Sequence, residues 1–379
     1  MRSALVVGPG GAGASTIAAL TAVAAAQQGR RTVLLSPDPT MDALLGDPAP
    51  GLSVRRPDAA ARAADAWPTV SRYLSAAGVS GDIDPAELAS LPAAGTIAIL
   101  LDIAAIVAAG DCDALIVDAG SSAVELLSVP ESIGQLSDRL LPVPLRILSQ
   151  FGGLFDPRPM PSDPPATGEA DLLGDLVGRL MQAQAVLTDP AICSVHLVTG
   201  PEPRRRAAAR RMVPQLALCG SGLGRVLINR STGTDLAGEW PTEVLEIPAQ
   251  SAEPVGAALK ALAATVFAAT DPLAHSVGPA LTEPRVRQNG DSFQLDIAVP
   301  LADRTELDLA RSADDVLITV AGHTRRFELP SVLQRCTISG ARFTDDGGGM
   351  LQVSFVADPQ RWPRALSGFP GAVTAGTAS

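Results

Sequence analysis

The stretch Val6-Val7-Gly8-Pro9-Gly10-Gly11-Ala12-Gly13-Ala14-Ser15-Thr16 constrains this chain more than any other. Two β-branched residues close an apolar run, four glycines follow within six positions, and Ile17, Leu20 and Val23 then recur at helical spacing up to Gly29. The pattern predicts a strand, a glycine-rich turn and a helix. Such a turn aims backbone N–H groups and a helix amino terminus at one point, which is an anion site. Glycine is needed there because a Cβ would block either the unusual φ values or the approach of a phosphate.

Three readings of the turn compete. Gly8, Gly10 and Gly13 fit the dinucleotide pattern G-x-G-x-x-G, which asks for an acidic residue at the end of the second strand, about 20 residues on. The second strand reads Thr32-Val33-Leu34-Leu35-Ser36, and a serine stands where the acid belongs. A glycine-rich βα turn without a ligand is the plainest alternative. The third reading is a phosphate-binding loop. Residues 8–16 resemble, without a gap, the G-K-G-G-V-G-K-T-T loop of the ArsA/tail-anchored-protein-targeting ATPase family. Gly8, Gly10, Gly11 and Gly13 match, Ser15 and Thr16 supply the hydroxyls, and Pro9 and Ala14 replace both lysines.

Further motifs follow in the family's order. Ser36-Pro37-Asp38-Pro39 is similar to its S-T-D-P stretch, whose Asp orients the attacking water; the resemblance implies that role for Asp38. Asp118 closes the apolar run Ala114-Leu115-Ile116-Val117, and the resemblance implies that Asp118 and the Ser15 hydroxyl hold Mg²⁺. Residues 118–130 resemble the family's second switch after a two-residue deletion, with Leu126-Leu127 and Pro130 matching. Val198-Thr199-Gly200-Pro201-Glu202 is similar to V-T-x-P-E. Val226-Leu227-Ile228-Asn229-Arg230 is similar to V-V-N-R, whose Asn reads adenine. An amide both donates and accepts, as the edge of adenine requires. The resemblance covers roughly residues 1–268. It implies ATP and Mg²⁺ as cofactors, with Gly8, Gly10, Gly11, Gly13, Ala14, Ser15, Thr16 and Asn229 around the nucleotide.

Each of these residues also has a plainer role. Ser15 is compatible with an ordinary first turn of a helix, Asp38 with an Asp-Pro turn, and Asn229 with a strand-end turn. Asp118 is different, because a buried carboxylate without a partner is costly.

Composition narrows the partners. The chain of 379 residues carries a net charge of −11, with a pI near 4.8, which argues against nucleic acid. Lys260 is its one lysine. Cys112, Cys193, Cys219 and Cys336 are scattered without a C-x-x-C pair, which suits a reducing cytoplasm and marks no metal or arsenite site. The apolar run 97–109 is interrupted by Asp102 and is too short to span a bilayer, so a buried helix is expected. The first residues enter a strand at once, and a cytoplasmic location without an integral membrane segment is expected.

Strands alternate with helices through residue 268, which implies an α/β domain with a doubly wound, mostly parallel sheet of the P-loop NTPase type, over 1–270. Short helices at the sheet edge are expected over 52–95, and a helical insert over about 124–190, broken by the proline-rich run 156–165. Residues 271–283 form a linker. Phe293, Leu295, Ile297 and Val299 then alternate with polar or small residues. Runs at 316–320, 326–329 and 351–355 repeat the theme, with turns at Asn289-Gly290, Ala321-Gly322 and 347–349. A separate small all-β sandwich is expected over 284–358, followed by a disordered tail, 359–379. The segment 284–356, with Phe327-Glu328-Leu329-Pro330, resembles the small heat-shock (α-crystallin-like) domain found in some ArsA-family proteins.

Removing one anion-stabilising group of the lysine kind raises a barrier by roughly 2.7–4 kcal/mol, and two are missing. Weak ATP·Mg²⁺ binding or slow hydrolysis is therefore expected. The protein would be a dimer with itself or another family member, carrying or scaffolding a hydrophobic polypeptide client or a membrane partner. Phe151-Gly152-Gly153-Leu154-Phe155 is a candidate part of a client groove. An arginine from a partner subunit is one way to restore the lost charge. A nucleotide-independent holdase with a vestigial loop is the second reading, and a dinucleotide oxidoreductase the third.

Overall fold

The computed structural model describes residues 1–76, 84–140, 167–233, 236–274, 284–290, 292–345 and 348–361. The Phe151–Phe155 segment, the proline-rich run and nearly all of the expected tail lie outside them. The chain divides into two units, Met1–Met212 with Cys219–Ala280, and Val213–Leu218 with Leu281–Ser379.

The first unit is a seven-stranded parallel sheet with helices. Its strands are β1 (Arg2–Val7), β2 (Thr32–Leu35), β3 (Leu52–Arg55), β4 (Ala114–Gly120), β5 (Cys193–Thr199), β6 (Leu223–Ser231) and β7 (Glu243–Pro248). Their order is β3-β2-β4-β1-β5-β6-β7. β1 is central and buried from Ser3 to Val7, as a strand covered on both faces must be. The chain crosses over β4 to build β2 on one side of β1 and later places β5 on the other. This reversal opens a crevice at the carboxyl ends of the strands, the usual ligand position in such sheets.

Helix α1 (Ala14–Gln27) leaves that crevice. Every residue from Ile17 to Ala26 is buried, so the helix has no polar face and runs through the core. Six of those ten side chains are alanines, which permit close approach to the sheet and to the helix 257–266. At its far end Gln27 Nε2 donates to the Lys260 carbonyl at 3.1 Å. The sole lysine therefore sits about 20 Å along the helix axis from the loop, at ~1.5 Å of rise per residue.

Helices α2 (Met41–Leu45), α3 (Ala59–Ala76), α4 (Pro85–Ala89), α5 (Ala94–Ala109), α6 (Ala123–Leu140), α7 (Thr167–Thr188), α8 (Pro203–Leu218) and α9 (Ala257–Val266) complete the helices of this part of the chain among the described residues. Two features differ from expectation. Leu52–Arg55 is an edge strand paired with β2, and 59–76 is one helix with Pro68 inside it. A four-residue strand is too short to show a period, and an internal proline reads as a break when it need only cost one hydrogen bond and a local bend. In α5 the acid that interrupts the apolar run, Asp102, is buried beside Arg62, whose Nε lies 3.1 Å from it. Among the described residues no helix is long and apolar enough to cross a membrane.

The second unit has a three-stranded sheet of β10 (Leu307–Ser312), β11 (Asp315–Val320) and β12 (His323–Glu328). Its four-stranded sheet has the order β13-β14-β9-β8, with β8 (Arg285–Asn289), β9 (Ser292–Ala298), β13 (Cys336–Thr344) and β14 (Met350–Ala357). Alternate residues Leu295, Ile297, Val316, Ile318, Val353 and Phe355 fill the core. The hairpin at Ala321-Gly322 takes φ of 50° and 87°, which matches the twist of its strands. Two buried acids are paired across strands, Asp296 with Arg287 at 3.0 Å and Asp315 with Arg326. A short α10 (Ser331–Gln334) precedes β13. The strands β8, β10 and β13 escaped the sequence reading because charged and small residues weaken their alternation.

Phe355 is fully buried. Phe355→Ala is expected to lower the stability of the second unit by about 3–5 kcal/mol. Amide hydrogen exchange should then accelerate in β9 and β14; unchanged protection there would contradict the assigned core.

Candidate functional site

The site starts from backbone geometry. β1 runs beside β4 in a register that sets Val6 next to Asp118, and the loop begins two residues later. Gly8 N–H donates to the Gly120 carbonyl at 3.0 Å, and a Cβ on Gly8 would lie 2.6 Å from the Val198 carbonyl oxygen of β5. Ala12 N–H turns back to the Pro9 carbonyl at 3.0 Å. Gly13, at φ 87°, enters α1, and a Cβ there would lie 2.3 Å from Asn229 Nδ2. Gly10 has neither reason to be glycine: nothing stands within 4 Å of where its Cβ would be. That leaves open space beside the loop, which a phosphate approaching the backbone requires.

Four side chains come together near the loop: Asp118, Ser36, Asp38 and Ser15. Asp118 is 3% exposed, and its Oδ2 accepts from Ser36 Oγ at 2.7 Å. Burial pushes its carboxyl above the ordinary range; hydrogen bonds from Ser36 and Ser15 work the other way, and the Asp38 charge adds to the rise. Asp38 is held below the ordinary range by hydrogen bonds from Thr40, first its hydroxyl (2.7 Å) and then its N–H (2.8 Å), with Ser15 contributing. The Ser15 hydroxyl is thus close enough to act on both carboxyls. Asp38 also opens the turn into α2, so its turn role and its place beside Asp118 coexist.

This donor set suits Mg²⁺. Among the described residues no group of three or more His, Cys, Asp or Glu is placed to hold a metal. Mg²⁺ needs only one or two carboxylates when phosphate oxygens complete its shell. Ser36, which stands where the dinucleotide pattern asks for an acid, donates to Asp118.

Gly13 also borders a cavity of about 410 Å³. Gly13, Thr16, Ile17 and Leu20 of α1 line it, together with Asn229 and Arg230 of β6 and a segment from Ile247 to Pro254. Its size and apolar floor suit a heterocycle. Asn229 Nδ2 donates to the Ala12 carbonyl at 2.9 Å, which leaves the Oδ1 acceptor and a second N–H of the amide for a ligand. Asn229 is therefore also the clamp that ties the loop to β6.

Ala14 is buried at the first position of α1 and Pro9 is half-buried; neither side chain brings charge to the loop. The arginine run on α8 does. Arg205 Nη1 donates to the Gly11 carbonyl, and Arg230 Nη2 reaches the same oxygen at 3.4 Å. Arg206 instead pairs with Glu239 at 3.0 Å, and Arg210 lies over the Trp240 ring. Read as a sequence, 204–211 is a solvated or salt-bridged face, and only the fold separates Arg205 from its neighbours. Pro248, Gln250 and Pro254 likewise carry no sequence signal of their own. Ser36 did carry one, as the residue standing where an acid was sought.

Comparison with known proteins agrees on the ancestry. A family model described as an anion-transporting ATPase matches residues 55–237, and one described as an HSP20-like domain found in ArsA matches 290–355. Protein SCO2128 of Streptomyces coelicolor is 35% identical, over 96% of this chain and 100% of its own length. Protein Rv2184c of Mycobacterium tuberculosis is 29% identical, over 96% and 97%. A Chlorobaculum tepidum protein named as an arsenical pump-driving ATPase is 24% identical, over 91% and 94%.

Two substitutions test the geometry. Gly13→Ala puts a Cβ into a left-handed position, at a cost of about 1–2 kcal/mol, and also displaces Asn229; the denaturant midpoint should fall accordingly. A carboxyl whose folded pKa lies above its unfolded one supports the fold at low pH and loses that contribution as pH rises through the folded value. Ionised Asp118 is thus a cost to the fold at neutral pH. Asp118→Asn should leave the midpoint of the ligand-free protein no lower than that of the parent while removing any stabilisation by ATP with Mg²⁺; a large loss of ligand-free stability would contradict the assignment.

Proposed function

Because this chain belongs to the ArsA anion-transporting ATPase family and carries that family's HSP20-like domain, we propose that it binds ATP with Mg²⁺ at the loop 8–16. It works as a slow ATPase or as a nucleotide-regulated carrier or scaffold for a hydrophobic client or a membrane partner. What supports this reading is that Ser15, Asp38 and Asp118 interact with one another at the start of α1, while Gly13 and Thr16 of the same stretch border the Asn229 cavity. A nucleotide is an extended molecule with a base at one end and charge at the other, and the residues from Gly13 to Thr16 contribute to both groups of residues.

The residues divide the work. The N–H groups of Gly10, Gly11 and Gly13 to Thr16 face the phosphates, with Gly10 leaving room for their approach; Pro9 has no N–H, and those of Gly8 and Ala12 are spent on backbone carbonyls. Ser15 and Asp118 hold Mg²⁺, which when bound neutralises charge on the phosphates. Asp38, kept ionised by Thr40, orients a water molecule. Asn229 presents an acceptor and a donor to the base. Ser36 holds Asp118 in place. As in other members of the family, a dimer is the working form we propose.

Pro9 and Ala14 favour a second reading, a holdase that works without nucleotide through the β domain and the α6–α7 helices. Calorimetric titration of the full chain with ATP and Mg²⁺ separates the two. Binding in the millimolar range or tighter, weakened by Asn229→Ala, is expected. No heat at millimolar ATP, with aggregation of an unfolded client still suppressed, would leave the holdase alone.

A further inference from the structure

We propose that Arg205 and Arg230 of this same chain supply the positive charge that the phosphate loop lacks at positions 9 and 14. The inference rests on the nucleotide reading above and adds to it the cationic partner of the polyphosphate, found in cis.

Four observations converge. First, the two guanidinium groups approach one neutral atom, the Gly11 carbonyl oxygen. Like charges at such range repel; the carbonyl offsets little of that cost, and Glu202, paired with Arg205 at 3.3 Å, offsets part of it. An anion bound at the loop offsets it well, since a guanidinium presents a fork of donors matched to phosphate oxygens. Second, the backbone is bent to bring Arg230 there. The pairing of β6 with β7 slips between Ile228 and Ser231, and Arg230 takes φ 58°, a left-handed conformation unusual for a residue with a side chain. Irregularities of this kind re-aim side chains and gather beside functional sites.

Third, Gly200 leaves room for Arg205. A Cβ at Gly200 would lie 2.9 Å from Arg205 Cδ and 2.3 Å from a carboxylate oxygen of Glu202, the ion-pair partner of Arg205 at 3.3 Å. Fourth, Arg230 is exposed and borders the Asn229 cavity while its guanidinium reaches the loop at Gly11. The long side chains need shift only from a carbonyl to an adjacent anion. The two buried or half-buried acids at the site, Asp118 and Asp38, make such a cation more necessary, because they repel the same polyphosphate.

The test measures binding of ATP, ADP, AMP and adenosine to the full chain in the presence of Mg²⁺. In the parent protein, affinity should rise with each phosphate. Arg205→Ala and Arg230→Ala should each weaken ATP about tenfold, as expected for losing a charge-assisted contact; Arg205→Ala should leave adenosine unchanged, and Arg230→Ala, at the border of the Asn229 cavity, should weaken ATP more than adenosine. Arg205→Lys and Arg230→Lys should recover part of the loss, and the ligand-free thermal midpoints should stay at the parental value. ATP binding by both alanine variants at parental strength would overturn the inference while leaving the nucleotide reading intact. An equal loss for adenosine and ATP would also overturn it, since it would show a role in shape and not in charge. Failure of the parent protein to bind any of the four ligands would sink both proposals together.

Discussion

The bond from Asn229 Nδ2 to the Ala12 carbonyl is the constraint on which the rest of the site depends. It crosses from β6 to the loop after β1, two elements 217 residues apart in sequence. It passes over Gly13, whose missing side chain makes room for the amide. With the loop tied at that point and Gly8 bonded to Gly120 at the other, α1 can begin at Ala14 with its amino terminus aimed into the crevice. The alanine-rich interior of α1 then holds the direction, because a helix buried on all sides has no freedom to roll or tilt.

Charge is distributed against the chain's overall balance. The protein is strongly acidic, and the crevice contributes to that with a buried Asp118 and a half-buried Asp38. Asp38 is kept ionised by its own turn, while Asp118 pays for its burial and is supported mainly by Ser36. The two neighbouring carboxyls are thus displaced in opposite directions, Asp38 by hydrogen bonds and Asp118 by burial. Arginine, brought in from α8 and from the end of β6, is the positive element at the loop. Its planar fork of donors and permanent charge distinguish it from lysine.

The second unit manages its polar groups by the same rule in a different architecture. Its core is alternate apolar residues from two sheets, and the acids that intrude, Asp296 and Asp315, are each met by an arginine on a neighbouring strand. The edge strand β8 carries Arg285 and Arg287, charges that discourage edge-to-edge pairing.

Much of this was legible along the chain. Strand, loop and helix at 2–27, the parallel sheet and the β-rich carboxyl part all follow from local periods and turn residues, which act over a few positions. The glycines of the loop are legible in the same way, whereas Ser15, Asp38 and Asp118 were singled out by their resemblance to the family's motifs. Local patterns fail where an element is too short or too charged to show its period, as in β3, β8, β10 and β13. They also fail where a residue's partner is remote. Nothing near Asn229 announces that its amide holds the loop, nothing in 204–206 distinguishes the arginine that reaches Gly11, and Ser36 gains meaning only beside Asp118 on an adjacent strand. The sequence by itself determined which elements form and which chemical groups are at hand. Only the tertiary structure decided which of them meet, because a hydrogen bond or an ion pair depends on ångström-scale distances that strand order and helix packing set across hundreds of residues.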